Sequence, residues 1–236
     1  FSDPEVSGNH SLLVATSHDG FIRLYAVRAY GSPSLYLLSK VQAKSGKRLV
    51  SVSVAPFGPA GETKIAVGYE FASKVDVYSA GKEGDRRLQY LYSPDITGVN
   101  ANLRNVAWSA DGTYLYAGGL YYYNYGRAIR KWAGQGLGIY TNIISGADKG
   151  GIVHIIALKK GGIAFGASDT SFGVIDGRDE GLYIKRPLIA DYSNNQELFL
   201  ISPDGNVVAF SYEPKGKSPA QFSVKEGLLR NESSSF

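Results

Sequence analysis

Asp-Gly interrupts runs of β-forming residues along this chain, as at Asp19-Gly20, Asp111-Gly112 and Asp204-Gly205. Asp-Gly supplies the positive-φ residues of a tight hairpin, so a chain punctuated this way is committed to antiparallel strands. The clearest unit lies between residues 103 and 132. Val106-Ala107-Trp108 stops at Ser109-Ala110-Asp111-Gly112, and Tyr114-Leu115-Tyr116-Ala117 ends in Gly118-Gly119. An aromatic loop follows, Tyr121-Tyr122-Tyr123-Asn124-Tyr125-Gly126-Arg127, before a third segment closes on Trp132. Segments this short, with breaks this close, do not make helices of ordinary length.

The rest of the chain repeats the unit more loosely. Ser11-Leu12-Leu13-Val14-Ala15-Thr16, Phe21-Ile22-Arg23-Leu24-Tyr25 and Leu35-Tyr36-Leu37-Leu38 form one cycle; Leu49-Val50-Ser51-Val52-Ser53-Val54 opens the next. Tyr25, Tyr78 and Trp132 each end a strand reading apolar-x-apolar-aromatic, and they stand 53 and 54 positions apart. Repeats of roughly 40–50 residues, each a four-strand meander, are the signature of a β-propeller blade. The expectation is an all-β chain of four to five four-stranded blades, at about 9–43, 48–93, 103–146, 151–190 and 196–230, the first lacking its inner strand. Such a set is expected to be either part of a ring of about seven, completed by another chain or by the remainder of a longer one, or a smaller ring closed by strand exchange.

Ser17-His18-Asp19-Gly20-Phe21-Ile22-Arg23-Leu24-Tyr25, Val106-Ala107-Trp108-Ser109-Ala110-Asp111-Gly112 and Ile201-Ser202-Pro203-Asp204-Gly205 resemble WD-repeat blades. Tyr25 and Tyr78 stand where that family carries Trp, Trp132 keeps it, and the Trp-Asp and Gly-His pairs are absent. The middle of the chain, with Ile65-Ala66-Val67-Gly68-Tyr69-Glu70 and Ile163-Ala164-Phe165-Gly166, is similar to the divergent propellers of large bacterial WD-repeat proteins. Some of those carry a caspase-like peptidase domain, of which no segment is visible here. The resemblance implies a non-catalytic interaction scaffold or sensor.

Composition narrows the chemistry. Zero Cys excludes disulfides and thiolate sites, and a chain that opens Phe1-Ser2-Asp3-Pro4 and holds no Met is expected to be a segment of a larger protein. A net charge of +4 without a dense Lys/Arg run argues against nucleic acid, and no apolar run is long enough to span a membrane. The compartment is open, with the cytoplasm favoured over export. His10, His18 and His154 lack metal-ligand spacing. The repeated Asp-Gly aspartates are turn residues, Lys44-Ser45-Gly46-Lys47 lacks the first Gly and the helix of a phosphate loop, and no Gly-x-Ser-x-Gly elbow occurs. No catalytic, cofactor or metal residues are assigned; a propeller hydrolase or lactonase with a metal in its central channel is the alternative.

The partner surface is expected on the face carrying the turns between second and third strands. Tyr121, Tyr122, Tyr123, Tyr125 and Arg127 bring residue types enriched in binding hot spots; the competing reading packs them on neighbouring blades or continues a hairpin. Phe71, Asp169, Lys215 and Lys217 are expected on the same face. The partner is a protein or a covalently linked domain.

Overall fold

A computed structural model describes residues 11–28, 34–46, 48–56, 62–82, 85–147, 150–169, 171–185, 199–202, 206–210, 220–223 and 228–231. Five antiparallel sheets succeed one another in sequence, each a meander, and none closes on itself. The first has three strands, β1 (Ser11–Thr16), β2 (Phe21–Arg28) and β3 (Ser34–Gln42). The second holds β4 (Leu49–Val54), β5 (Lys64–Tyr69), β6 (Val75–Ser79) and β7 (Gln89–Tyr92); the third holds β8 (Asn105–Trp108), β9 (Leu115–Tyr123), β10 (Gly126–Trp132) and β11 (Tyr140–Ile144). The fourth comprises β12 (Ile152–Ala157), β13 (Ile163–Ala167), β14 (Phe172–Ile175) and β15 (Gly181–Lys185); the fifth comprises β16 (Phe199–Ile201), β17 (Val207–Phe210), β18 (Ala220–Ser223) and β19 (Leu228–Asn231). Among the described residues the one helical element is a 3₁₀ turn, Gly134–Gly136.

The Asp-Gly hairpins work differently from the sequence expectation. Only the glycines take positive φ, 86° at Gly20 and 71° at Gly112. The aspartates act through their carboxylates. Asp111 Oδ1 accepts from the Ser109 hydroxyl at 2.6 Å and the Thr113 N–H at 3.0 Å, while Asp19 Oδ1 accepts from the Ser17 hydroxyl at 2.7 Å and the Phe21 N–H at 3.0 Å. Such side-chain caps replace backbone partners that the turn would otherwise lack. Ser109 closes its loop by accepting the Tyr114 N–H at 2.9 Å, and Ser202 does the same for the Val207 N–H at 2.9 Å, although residues 203–205 lie outside the described set.

These bonds favour the ionised carboxylates. The Ser109 hydroxyl, then Thr113, hold Asp111 down to about 2, and Arg23, then Ser17, hold Asp19 well below the usual carboxylate range. A depressed folded-state value contributes stability above the unfolded value of about 3.9, and that contribution disappears as pH falls through the folded value. The melting temperature is therefore expected to hold between about pH 7 and pH 5 and to fall below about pH 4. Asp111→Asn should flatten part of that fall in melts followed by circular dichroism.

Buried clusters lie between successive sheets. Ile22 and Leu24 meet Ile65, Val67 and Tyr78; Val75 and Val77 meet Leu115, Ala117 and Trp132; Tyr116 and Ile129 meet Ile155, Ile163 and Phe165. Strands β5, β6, β13 and β14 are consequently buried on both faces, apart from a half-buried Lys64 at the start of β5, whereas β2 alternates buried with half-buried residues. Tyr78 and Trp132 each pack back onto the preceding sheet, which explains why an aromatic recurs at that point. Each large apolar side chain removed from water contributes roughly 1.5–3 kcal/mol.

First strands are neighbours, β4 beside β8 and β8 beside β12. β1 packs on β4 as β5 packs on β8 and β9 on β12, so β1 holds the place of a second strand. The Val-Ser alternation of β4 serves this arrangement. The Ser51 hydroxyl donates to the Arg104 carbonyl at 2.6 Å and accepts the Val106 N–H at 3.2 Å, and Ser53 accepts the Trp108 N–H at 3.0 Å. Asn105 Nδ2 then donates to the Ile152 carbonyl at 2.6 Å. Side chains of one inner strand thus occupy the free edge groups of the next, which would otherwise face an apolar wall unpaired.

Candidate functional site

Residues 121–127 do not form a loop. β9 runs on through Tyr123, a turn of two residues reverses it, and β10 starts at Gly126. Asn124 and Tyr125 both have positive φ, 44° and 64°, the arrangement of a type I′ hairpin. β9 is nine residues long against six in β5 and five in β13, so this hairpin reaches about 10 Å further at ~3.3 Å per residue. β8 pairs with β9 only as far as Gly118, which leaves the tip a two-stranded ribbon.

The ribbon divides its aromatics between inside and outside. The register shifts between Arg127 and Ile129, where residues 119–121 stand opposite Ala128 alone. Tyr121, expected on the binding surface, is instead fully buried in the core shared with the second sheet. Its hydroxyl accepts from Arg130 Nη2 at 3.1 Å, and the Arg130 guanidinium lies 5.2 Å from the Tyr121 ring centroid and 3.9 Å from that of Tyr140. Arg130 also donates to the carbonyls of Asp95 and Thr97 at 3.3 and 2.8 Å, so this pair secures the chain between β7 and β8. Tyr122, Tyr123 and Tyr125 remain outside, Tyr125 at 94% exposure. Arg127 Nη1 donates to the Leu120 carbonyl at 2.5 Å and its guanidinium lies 5.7 Å from the Tyr122 ring centroid, bracing the ring from below.

Two asparagines that the sequence reading passed over hold the ribbon in place. Asn100 Oδ1 accepts the Tyr122 N–H at 3.1 Å and its Nδ2 donates to the Tyr122 carbonyl at 3.0 Å, as a neighbouring strand would. Asn102 accepts the Leu120 N–H at 2.8 Å and donates to the Glu70 carbonyl at 2.7 Å, linking this hairpin to the turn of the second sheet. That turn exposes Phe71 at 73%, with the Arg48 guanidinium 5.0 Å from its ring centroid and Arg48 paired to Glu70 at 3.1 Å. Asp169 occupies the corresponding turn of the fourth sheet and accepts the Ser171 N–H at 3.1 Å. Lys215 and Lys217 lie outside the described residues.

Two cavities lie against the first strands. One, of about 740 Å³, is lined by residues 50–54, 105–108 and 153–157 of β4, β8 and β12. The other, of about 660 Å³, opens at the end carrying the hairpin turns and is lined by Thr16, His18, Glu70, Arg104, Leu120 and Ser168 among others. Among the described residues no three His, Cys, Asp or Glu side chains lie close enough to hold a metal ion. No helix of the described residues is long and apolar enough to cross a membrane. Comparison of the sequence with models of known protein families and with curated proteins found no match.

Tyr125 sits in left-handed backbone that a bulky residue adopts at a cost of roughly 1–2 kcal/mol, whereas glycine adopts it freely. Tyr125→Gly is therefore expected to stabilise the fold by about 1 kcal/mol in denaturant unfolding, since the exposed ring gives up little on removal.

Proposed function

We propose that the chain is a segment of a β-propeller of the WD-repeat type acting as a non-catalytic scaffold, and that its protein partner docks on the tip of the third-sheet hairpin. The partner is a separate chain or a domain of the same polypeptide. Serial four-stranded meanders with adjacent first strands support the architecture. The observation carrying the function is Tyr125: an exposed aromatic in strained backbone, at the end of a hairpin that outreaches its counterparts in the second and fourth sheets, where glycine would be more stable. Stability alone does not account for tyrosine there, whereas contact with another surface does.

Tyr122, Tyr123 and Tyr125 offer large, nearly rigid contact area with a hydroxyl at the outer end. Phe71, on the adjoining turn, extends the same surface, and both Tyr122 and Phe71 carry an arginine against the ring. Changing Tyr122, Tyr123 and Tyr125 together to Ser is expected to abolish recovery of the partner crosslinked to the wild-type chain while leaving the unfolding transition in place. Equal recovery by the triple variant would remove the hairpin from consideration.

A further inference from the structure

Arg130 and Arg104 hold their charges in opposite ways. Arg130 Nε donates to Asn142 Oδ1 at 3.1 Å, and its other nitrogens reach two carbonyls and the Tyr121 hydroxyl. Arg104 stands just ahead of β8. Its Nε is closed off from solvent, and among the described residues its guanidinium finds neither a hydrogen-bond acceptor nor a carboxylate. A charged donor kept from water without an acceptor is costly, and native structures retain few of them. Arg104 is on the wall of the 660 Å³ cavity at the hairpin-turn end, a volume within the range of ligand sites, roughly 300–1,000 Å³. Thr16 and Ser168 share that wall, as do the apolar Leu49, Leu120 and Ile152. Ser168 Oγ accepts the Gly151 N–H at 3.0 Å, which leaves its own proton without an acceptor among the described residues, and the Thr16 hydroxyl likewise bonds to none of them. The carboxylate on the wall, Glu70, is already paired with Arg48 at 3.1 Å.

We propose that this cavity binds the carboxylate of an organic acid with an apolar body, Arg104 supplying the counter-charge, Thr16 and Ser168 supplying hydroxyl donors, and the apolar wall taking the hydrocarbon. A carboxylate fits the fork of a guanidinium, which offers two parallel N–H donors. One negative charge matches the one unpaired guanidinium, whereas a phosphate dianion would bring a second charge against Glu70. The carboxylate belongs either to a free small acid or to the end of a polypeptide, and the chemistry that recognises it is the same. This cavity is separate from the hairpin tip, and the proposal stands whether or not the tip binds anything.

The probe is hexanoate, titrated into the whole chain and followed by the nuclear magnetic resonance signal of the Arg104 Nε–H. Saturable binding of one hexanoate per chain is expected at a Kd of roughly 1 mM, with that signal moving downfield as the group gains an acceptor. Hexanamide, of the same size but uncharged, is expected to bind about tenfold or more weakly, and Arg104→Gln to lose hexanoate by a similar factor. Should Arg104→Gln fail to fold, hexanoate against hexanamide on the wild-type chain decides alone. Acetyl-Leu-Leu with a free terminal carboxylate separates the two sources: tighter binding than hexanoate assigns the site to a polypeptide end, weaker binding to a free acid. No saturable binding at tens of millimolar hexanoate would overturn the proposal, as would equal binding of hexanamide, an Arg104 signal unmoved at saturation, or inorganic phosphate binding more tightly than hexanoate.

Discussion

Replacing Trp132 with alanine is expected to destabilise the protein by about 3–5 kcal/mol in equilibrium unfolding. Trp132 has no exposed surface and lies in the cluster that joins Val75 and Val77 of the second sheet to Leu115 and Ala117 of the third. Its indole N–H donates to the Asp95 carbonyl at 2.7 Å, so truncation opens a cavity and strips a buried carbonyl of a partner. For a domain whose total stability is of order 5–15 kcal/mol, that loss leaves a large unfolded fraction. Trp108 provides the contrast. Its buried indole N–H has no acceptor among the described residues, so Trp108→Phe removes no bond and is expected to shift stability by less than about 1 kcal/mol, whereas Trp132→Phe loses one.

The second large effect is expected at Asp76, a carboxylate with no exposed surface in β6. Four donors converge on it: the Ser45 N–H at 3.0 Å, the Ser45 hydroxyl at 2.8 Å, the Tyr69 hydroxyl at 2.5 Å and the Ser93 hydroxyl at 2.6 Å. Burial first, then the bond to Asp76, push the Tyr69 phenol far above its ordinary value, so it stays a neutral donor. Through Ser45 and Ser93 this one side chain ties the segments leaving the first and second sheets. Asp76→Ala strands these donors in the interior and is expected to cost about 3–5 kcal/mol. Asp76→Asn should fall between Ala and the wild type, because its oxygen keeps part of the acceptor set while its NH₂ confronts donors. Chemical denaturation of the three proteins measures the order directly.

Most strands and their serial order are legible in the sequence because hairpin chemistry and alternation are local. Gly20 and Gly112 mark their turns, and the Val-Ser alternation of residues 50–54 announces a strand without revealing which backbone its serines satisfy. Gly118 and Gly119 are misleading. They read as the end of a strand, yet they lie inside β9 because neighbouring chain passes close by. A Cβ on Gly119 would come within 2.4 Å of Asn102 Oδ1, and one on Gly118 within 3.2 Å of Ile152. With the strand ended too early, the tyrosines beyond it read as a loop, and Tyr121 could not be separated from its exposed neighbours. What turns Tyr121 inward is Arg130 across the sheet. Asp76 and Asn102 were missed for a related reason: their partners lie up to 32 positions away, beyond any local pattern. Tyr122, Tyr123 and Tyr125 were expected at the surface, and their exposure is the part of that expectation the structure bears out.

The central claim is that the sheets stack in series, each middle sheet buried on both faces, with first strands side by side. Nuclear Overhauser contacts between methyl and aromatic protons test it most directly. The account predicts cross-peaks from Trp132 to the Val75 and Val77 methyls and, from the opposite face of the same sheet, from Ile129 to Ile155. Cross-peaks joining the first sheet's Ile22 or Leu24 to Ile163 or Phe165 of the fourth, with one face of the third sheet left in water, would mean a two-layer sandwich and would contradict it.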